Sequence, residues 1–108
     1  MKIALIGCVS SSLTTLQVLL NMKNFGVEVV AVVTKSKSVI NSDFRDLTPL
    51  CLQNDIDFHF EDTEDRSASI HFLERHKPDV VYCFGWSYLL PEEMLNLAPL
   101  GTIGFHPA

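Results

Sequence analysis

No stretch of this 108-residue chain stays apolar for the ~20 residues that a bilayer span requires, which excludes a transmembrane helix. The opening Met1-Lys2-Ile3-Ala4-Leu5-Ile6-Gly7 is apolar too briefly for a secretory signal and ends in glycine, so it reads as a strand. A basic excess is missing as well: 8 Lys and Arg stand against 13 Asp and Glu, a net charge of −5. That removes the electrostatic footprint of a nucleic-acid binder, although a local patch can still hold a small anion. The three cysteines, Cys8, Cys51 and Cys83, are odd in number and widely spaced, with no zinc spacing and no disulfide framework. This usage suits a reducing compartment, and a cytoplasmic location is expected. No two of the four histidines stand at metal-ligand spacing, so no metal is expected. Finally, the first strand is followed neither by G-x-G-x-x-G nor by a phosphate-loop lysine, and the second ends Val33-Thr34-Lys35 without an acid for a ribose diol. A nicotinamide dinucleotide site is therefore not expected.

What is present is an apolar fraction of 47%, enough for a buried core, and no repeat, low-complexity tract or linker. A single domain over residues 1–108 is expected. Ile3–Ile6 is a continuous apolar run of the kind that forms a central parallel strand. Ser10, Ser11 and Ser12 can cap the helix after it, whose Leu13, Leu16 and Leu20 share one face, and Asn24 and Gly26 end it. Val27–Thr34 is the second strand. Lys35–Leu47 reads as a polar, mobile loop, and Thr48-Pro49 as the cap and first position of a short helix. Ile56–Phe60 is a weak third strand. A helix starting at Ser67 or Ser69, with Ile70 and Leu73 inward, stops before Pro78. Val80–Phe84 is the fourth strand, Pro91-Glu92-Glu93 opens a short helix, and Thr102–His106 is the fifth strand. Strand and helix alternate throughout. The pattern predicts a Rossmann-like α/β fold with an open, mainly parallel sheet in the order 3-2-1-4-5, truncated after the fifth strand.

Two segments then bear chemistry at the carboxyl ends of strands, where open α/β sheets bind ligands. The Gly85–Leu90 loop mixes Trp86, Ser87, Tyr88, Leu89 and Leu90, groups that can grip a planar ligand or simply pack under the next helix. His106 closes the fifth strand; it reads either as a hydrogen-bonded structural histidine or as a catalyst tuned by its surroundings. The loop Gly7-Cys8-Val9-Ser10-Ser11-Ser12 opens a helix, and on its chemistry alone anion binding and capping weigh equally. His59 has no evident partner, whereas His71 and His76 belong to a surface helix, His76 near its favourable C-terminus. Glu61, Asp62, Glu64 and Asp65 read as a solvated acidic turn, and Lys35 and Lys37 as solvated lysines that could alternatively meet phosphates.

Over Asp79–Pro91 and Gly101–Pro107, and in the spacing between these blocks, the sequence resembles the formyltransferase family, which moves a formyl group from 10-formyltetrahydrofolate to an amine. Sugar N-formyltransferases and methionyl-tRNA formyltransferase are the nearest in pattern. The resemblance covers essentially the whole chain, as the N-terminal half of the family's catalytic domain. It implies that Trp86, Ser87, Tyr88, Leu89 and Leu90 line the pterin pocket of the folate co-substrate. It further implies that His106 is the catalytic histidine, and that Cys8, Val9, Ser10 and Ser11 face the amine-bearing substrate. One position departs: where the family has Asn-x-His-Pro, this chain has Gly104-Phe105-His106-Pro107. Glycine carries no carboxamide, so one donor to the developing oxyanion is missing. The family's later catalytic aspartate would fall beyond Ala108, and the chain by itself is expected to transfer formyl groups poorly.

The resemblance also frames the acceptor, a small-molecule amine. The first loop is not the Gly-Ser-Gly type expected of a glycinamide-ribonucleotide enzyme, and the acidic segment lacks the basic surface expected of a tRNA enzyme. An amino sugar on a nucleotide carrier remains. The rival expectation, from another class, is a non-catalytic Rossmann-like module that holds a small anion or nucleotide. The fifth strand, left as a sheet edge, is a route to a homo-oligomer.

Overall fold

In the computed structural model, β-branched runs form the strands and the amphipathic stretches between them form the helices. In chain order these are β1 (Lys2–Ile6), α1 (Ser10–Asn21), β2 (Glu28–Thr34), α2 (Thr48–Gln53), β3 (Asp57–Phe60), α3 (Ser67–His76), β4 (Val80–Phe84), α4 (Glu92–Leu95) and β5 (Thr102–Phe105). The structure describes residues 1–37, 43–63, 65–84 and 90–105. The five strands form one sheet in the order β3-β2-β1-β4-β5, and every neighbouring pair is parallel, as expected.

Successive side chains of a strand point to opposite faces, so each central strand feeds two cores. On one face Ala4, Ile6, Val33 and Val81 pack with Phe72 and Leu73 of α3 and Met94 of α4. On the other, Ile3, Leu5, Val32 and Val80 pack with Leu16 and Leu19 of α1 and Cys51 of α2. A register shift between Ile3 and Ala4 lets β2 carry one extra residue past β1. The inward face of α1 is therefore Ser12, Leu16 and Leu19, with the expected Leu13 and Leu20 only half-buried beside it.

Helix ends differ in detail from the sequence expectation. The N-cap of α1 is Val9, which has no side-chain acceptor; instead the Ser12 hydroxyl, three residues on, accepts the Val9 N–H at 3.2 Å. For α2 the capping side chain is Asp46, whose Oδ1 accepts both the backbone N–H of Thr48 at 3.0 Å and its hydroxyl at 2.7 Å. Asp65 does the same for Ser67 at the start of α3, and the Ser67 hydroxyl holds the Asp65 carboxyl below its usual range. Lys77, in the left-handed region at φ 48°, terminates α3 directly before Pro78.

The polar residues after β2 and β3 are less solvated than their sequence suggests. Lys35 is buried, and its ammonium donates to the Glu61 carbonyl. The Glu61 N–H donates to the Thr34 carbonyl at 2.9 Å, and its carboxylate, only 3% exposed, lies 3.7 Å from Arg66 Nε. Ser36 binds Asp62 through both its N–H and its hydroxyl, and that hydroxyl is the main cause that lowers the Asp62 carboxyl. These strand ends are stitched together because parallel neighbours bring them to the same rim. Composition alone could not reveal that pairing. His59 likewise has a partner, its ring stacking on Phe72 at 5.5 Å, and His76 Nε2 lies 3.2 Å from Asp57 Oδ2.

All three cysteines are buried thiols outside any disulfide. Burial pushes the thiols of Cys51 and Cys83 up to about 11, with Asp46 adding to the first and Glu61 to the second. Because the thiolate is the reactive form, an aromatic disulfide reagent at pH 8 is expected to leave the folded protein unlabelled. Denaturant should then release all three thiols, whereas rapid labelling of any one in native buffer would contradict this packing.

Candidate functional site

The site is built where the carboxyl ends of β1 and β4 meet, the point at which the strand order reverses. Gly7 occupies the junction. Its N–H donates to the Val33 carbonyl at 3.0 Å, which holds it against β2. A Cβ at this residue would land on the Ser12 hydroxyl oxygen and on the Phe84 carbonyl, so only glycine lets β1, β4 and α1 approach so closely. Ser12 fills the space a larger residue at position 7 would take. Fully buried, it donates its hydroxyl to the Phe84 carbonyl at 2.5 Å while accepting the Val9 N–H.

The first loop is fastened from its other side too. The Arg45 N–H donates to the Cys8 carbonyl at 2.9 Å, and Val9 and Phe44 form an antiparallel bridge. The Ser10 hydroxyl donates to Asp43 Oδ2 at 2.6 Å, and Asp43 lies 3.7 Å from the Arg45 guanidinium. Phe44 packs against the core and Leu47 is fully buried. Residues 43–47, expected within a mobile loop, are thus docked along the helix start, because the loop contains two apolar anchors that the polar residues around them obscure.

The start of α1 opens on a cleft of ≈ 410 Å³ lined by Ser10, Ser11, Thr14, Thr15 and Phe84. The first N–H groups of a helix have no partner four residues back, and its dipole adds positive potential there. The first turn of α1 itself holds no acidic residue, and the carboxylate that stands at this end is that of Asp43, on the Ser10 hydroxyl. Such a cleft offers amides, hydroxyls and one aromatic wall, and its volume falls in the range of small-molecule sites. Thr15 turns its hydroxyl back onto the Ser11 carbonyl at 2.7 Å. A second cleft of ≈ 410 Å³ lies at the amino ends of β2 and β3, beside Lys23, Glu28 and Asp55; none of the candidate residues among the described ones lines it.

The candidate residues divide into three groups. Ser10 and Ser11 line the cleft. Cys8, Val9 and Leu90 are placed differently: Cys8 and Val9 are buried in the core cluster that holds Met94, and Leu90 packs against it. These three side chains serve packing, and the backbone around Cys8 and Val9 is engaged within the fold, the Cys8 carbonyl by Arg45, the Val9 carbonyl by Leu13 and the Val9 N–H by Ser12. Trp86, Ser87, Tyr88, Leu89 and His106 lie outside the described residues. Gly104 pairs with Cys83 across β4 and β5, and a Cβ there would meet nothing closer than the Cys83 carbonyl at 3.9 Å.

Sequence reasoning missed Ser12 as a tether, and it missed Asp43, Arg45, Thr14 and Thr15. The threonines were findable, standing four residues beyond Ser10 and Ser11 on the same helix face. Asp43 and Arg45 carry no local signal, since their partners are more than thirty residues away. Among the described residues no three metal-ligating side chains converge, and no helix is long and apolar enough to cross a membrane.

Comparison with known proteins gives a consistent result. The family model described as formyl transferase matches residues 1–108. No curated protein sequence matches. Among solved structures, glycinamide ribonucleotide transformylase 1 from Symbiobacterium toebii is similar at a TM-score of 0.71 and 21% identity, over 99% of this chain and 51% of that one. Phosphoribosylglycinamide formyltransferase from Bacillus halodurans gives 0.75 and 14%, over 99% of this chain and 56% of its own. Glycinamide ribonucleotide transformylase 1 from Geobacillus kaustophilus gives 0.74 and 13%, over 98% and 57%. At these identities the likeness carries the fold. This chain spans about half the length of each.

Proposed function

The chain belongs to the formyl transferase family, and on that premise we propose that it contributes the acceptor-side half of a site that moves a formyl group from 10-formyltetrahydrofolate to a primary amine. The observation that carries this reading is the family match along all of residues 1–108. The cleft between the start of α1 and Phe84 supports it, because it lies at the strand rim where such a reaction needs two ligands to meet.

In this reading the acceptor enters along Ser10 and Ser11, where the helix amides and the Ser11 hydroxyl suit an anionic group tethered to the amine, the Ser10 hydroxyl being given to Asp43. The neutral amine attacks the formyl carbon, a C–N bond forms and the carbonyl oxygen becomes an oxyanion. Collapse breaks the bond between that carbon and N10 of the folate, and the proton released by the amine ends on N10. His106 is assigned the proton relay or the oxyanion contact. Trp86, Ser87, Tyr88, Leu89 and Leu90 are assigned the pterin, Leu90 through its place in the loop that enters α4. The amine is assigned to a nucleotide-linked amino sugar. The support for that finer assignment is the first loop, which reads Gly7-Cys8-Val9-Ser10-Ser11 rather than Gly-Ser-Gly, together with the acidic net charge.

A second reading, a module that binds a small anion or nucleotide without chemistry, is favoured by Gly104, which supplies no carboxamide. Two measurements separate them. Single-turnover transfer from 10-formyltetrahydrofolate to an amino sugar nucleotide requires the first reading. The stable analogue 5-formyltetrahydrofolate at about a hundred times its Kd should add ~2.7 kcal/mol of stability, a rise in Tm of roughly 10–20 °C for a domain of this size. Trp86→Ala should remove that rise. Stabilisation by a nucleotide but not by the folate analogue would leave the binding module as the function, and an undiminished folate effect in Trp86→Ala would refute the pocket assignment.

A further inference from the structure

Ser12 is a polar residue placed where the helix pattern calls for an apolar one. It sits on the inward face of α1 with Leu16 and Leu19, and no part of it reaches solvent. A buried hydroxyl is destabilising unless both its donor and its acceptor capacity are met. Here both are, and the partners belong to different parts of the site. The accepted N–H is that of Val9, in the loop that opens the acceptor side. The carbonyl that receives the hydroxyl proton is that of Phe84, the last residue of β4, after which the chain runs directly into Gly85–Leu89. Gly7 keeps the space open for this contact by having no side chain.

A mere capping role would need only the Val9 bond. A mere packing role would be met by alanine. The second bond, across 72 residues of sequence, is what neither role explains. We propose that Ser12 is a positioning residue that locks the exit of β4 to the start of α1, so that the point from which the donor-side loop departs and the acceptor-side loop are held in one register. The proposal rests on the reading of the two loops given above. It makes binding on the two sides interdependent, because the end of β4 and the start of α1 share the Ser12 hydroxyl.

Trp86 is the only tryptophan in the chain and stands two residues beyond the carbonyl that Ser12 holds, so its emission reports the consequence directly. The test compares the parent with Ser12→Ala, Ser12→Thr and Leu19→Val, the last a core change at the far end of the same helix that disturbs packing without touching the bridge. All are measured well below their melting temperatures, with far-UV circular dichroism confirming the fold. Ser12→Ala is expected to raise the acrylamide quenching constant of Trp86 about two-fold or more, since the carbonyl two residues before it is no longer held. Ser12→Thr, which keeps the hydroxyl, should return toward the parent, and Leu19→Val should not move it. Should Ser12→Thr fail to fold, the contrast between Ser12→Ala and Leu19→Val still decides. An unchanged constant in Ser12→Ala, or equal changes in Ser12→Ala and Leu19→Val, overturns the proposal. In a second arm, Ser12→Ala should weaken 5-formyltetrahydrofolate about ten-fold, while Leu19→Val leaves its affinity unchanged. Equal affinities in parent and Ser12→Ala count against the proposal. If the folate analogue binds none of the proteins, the functional reading falls and the quenching arm alone decides for or against Ser12.

Discussion

Replacing Gly104 with asparagine is expected to raise the single-turnover rate of formyl transfer by ~10² or more, the magnitude attached to one donor of an oxyanion site. The position already has the backbone for it. Gly104 lies within β5, paired with Cys83, and its φ is not among the positive values found at Gly26 and Gly101. A Cβ built there meets only ordinary van der Waals contact, its nearest neighbour being the Cys83 carbonyl at 3.9 Å. The substitution therefore starts from an unstrained backbone and an uncrowded Cβ, and Tm should stay within a few degrees. A binding module that performs no chemistry would gain nothing. The measurement is the rate of formylated product formation by parent and Gly104→Asn at equal protein concentration; an unchanged rate in a well-folded variant removes the argument that this missing donor limits the reaction.

Gly7→Ala is expected to have the largest effect on stability. The added methyl must displace either the Ser12 hydroxyl, which then loses the Phe84 carbonyl and the Val9 N–H, or the β4 backbone itself. Overpacking a tight core costs ~1–3 kcal/mol, and stranding the buried Val9 N–H adds ~1–3 kcal/mol. For a chain of this size that sum predicts a fall in Tm of at least about 10 °C. Gly26→Ala provides the contrast. Gly26 needs glycine for its φ of 81°, but a Cβ there meets nothing within 4 Å, so its cost is conformational only, ~1 kcal/mol. Thermal melts of the two variants distinguish close approach from backbone conformation. Equal, small shifts would mean that the junction yields easily, and the tether at Ser12 would then be soft.

The sheet order was legible because β-branched runs and glycine- or proline-marked ends alternate with helical stretches, and right-handed crossovers leave few ways to arrange them. The candidate site was legible only at the level of loops. Ser10 and Ser11 announce a helix start, and they do line the cleft. Cys8 and Val9 sit in the same stretch of sequence yet turn into the core: Cys8 keeps the alternation of Ala4 and Ile6, whereas Val9, the N-cap of α1, joins the same cluster out of step with it. Glu61 and Lys35 read as solvated charges because local composition cannot reveal that β2 and β3 end beside one another. Ser12 was visible as a possible cap, but its second partner is 72 residues away, beyond the reach of any local pattern.

The docking of residues 43–45 along the helix start bears on how the sheet tolerates change in the sequence between its anchor points. Ser36 is anchored to Asp62, and Asp43 and Arg45 to Ser10 and Cys8, so the chain between these anchor points has both ends fixed independently of its own composition. Doubling the length of a flexible connection costs only ~0.6 kcal/mol. Insertion of residues between Lys37 and Asp43 is therefore expected to leave the sheet, and the contacts that residues 43–45 make with the start of α1, largely undisturbed.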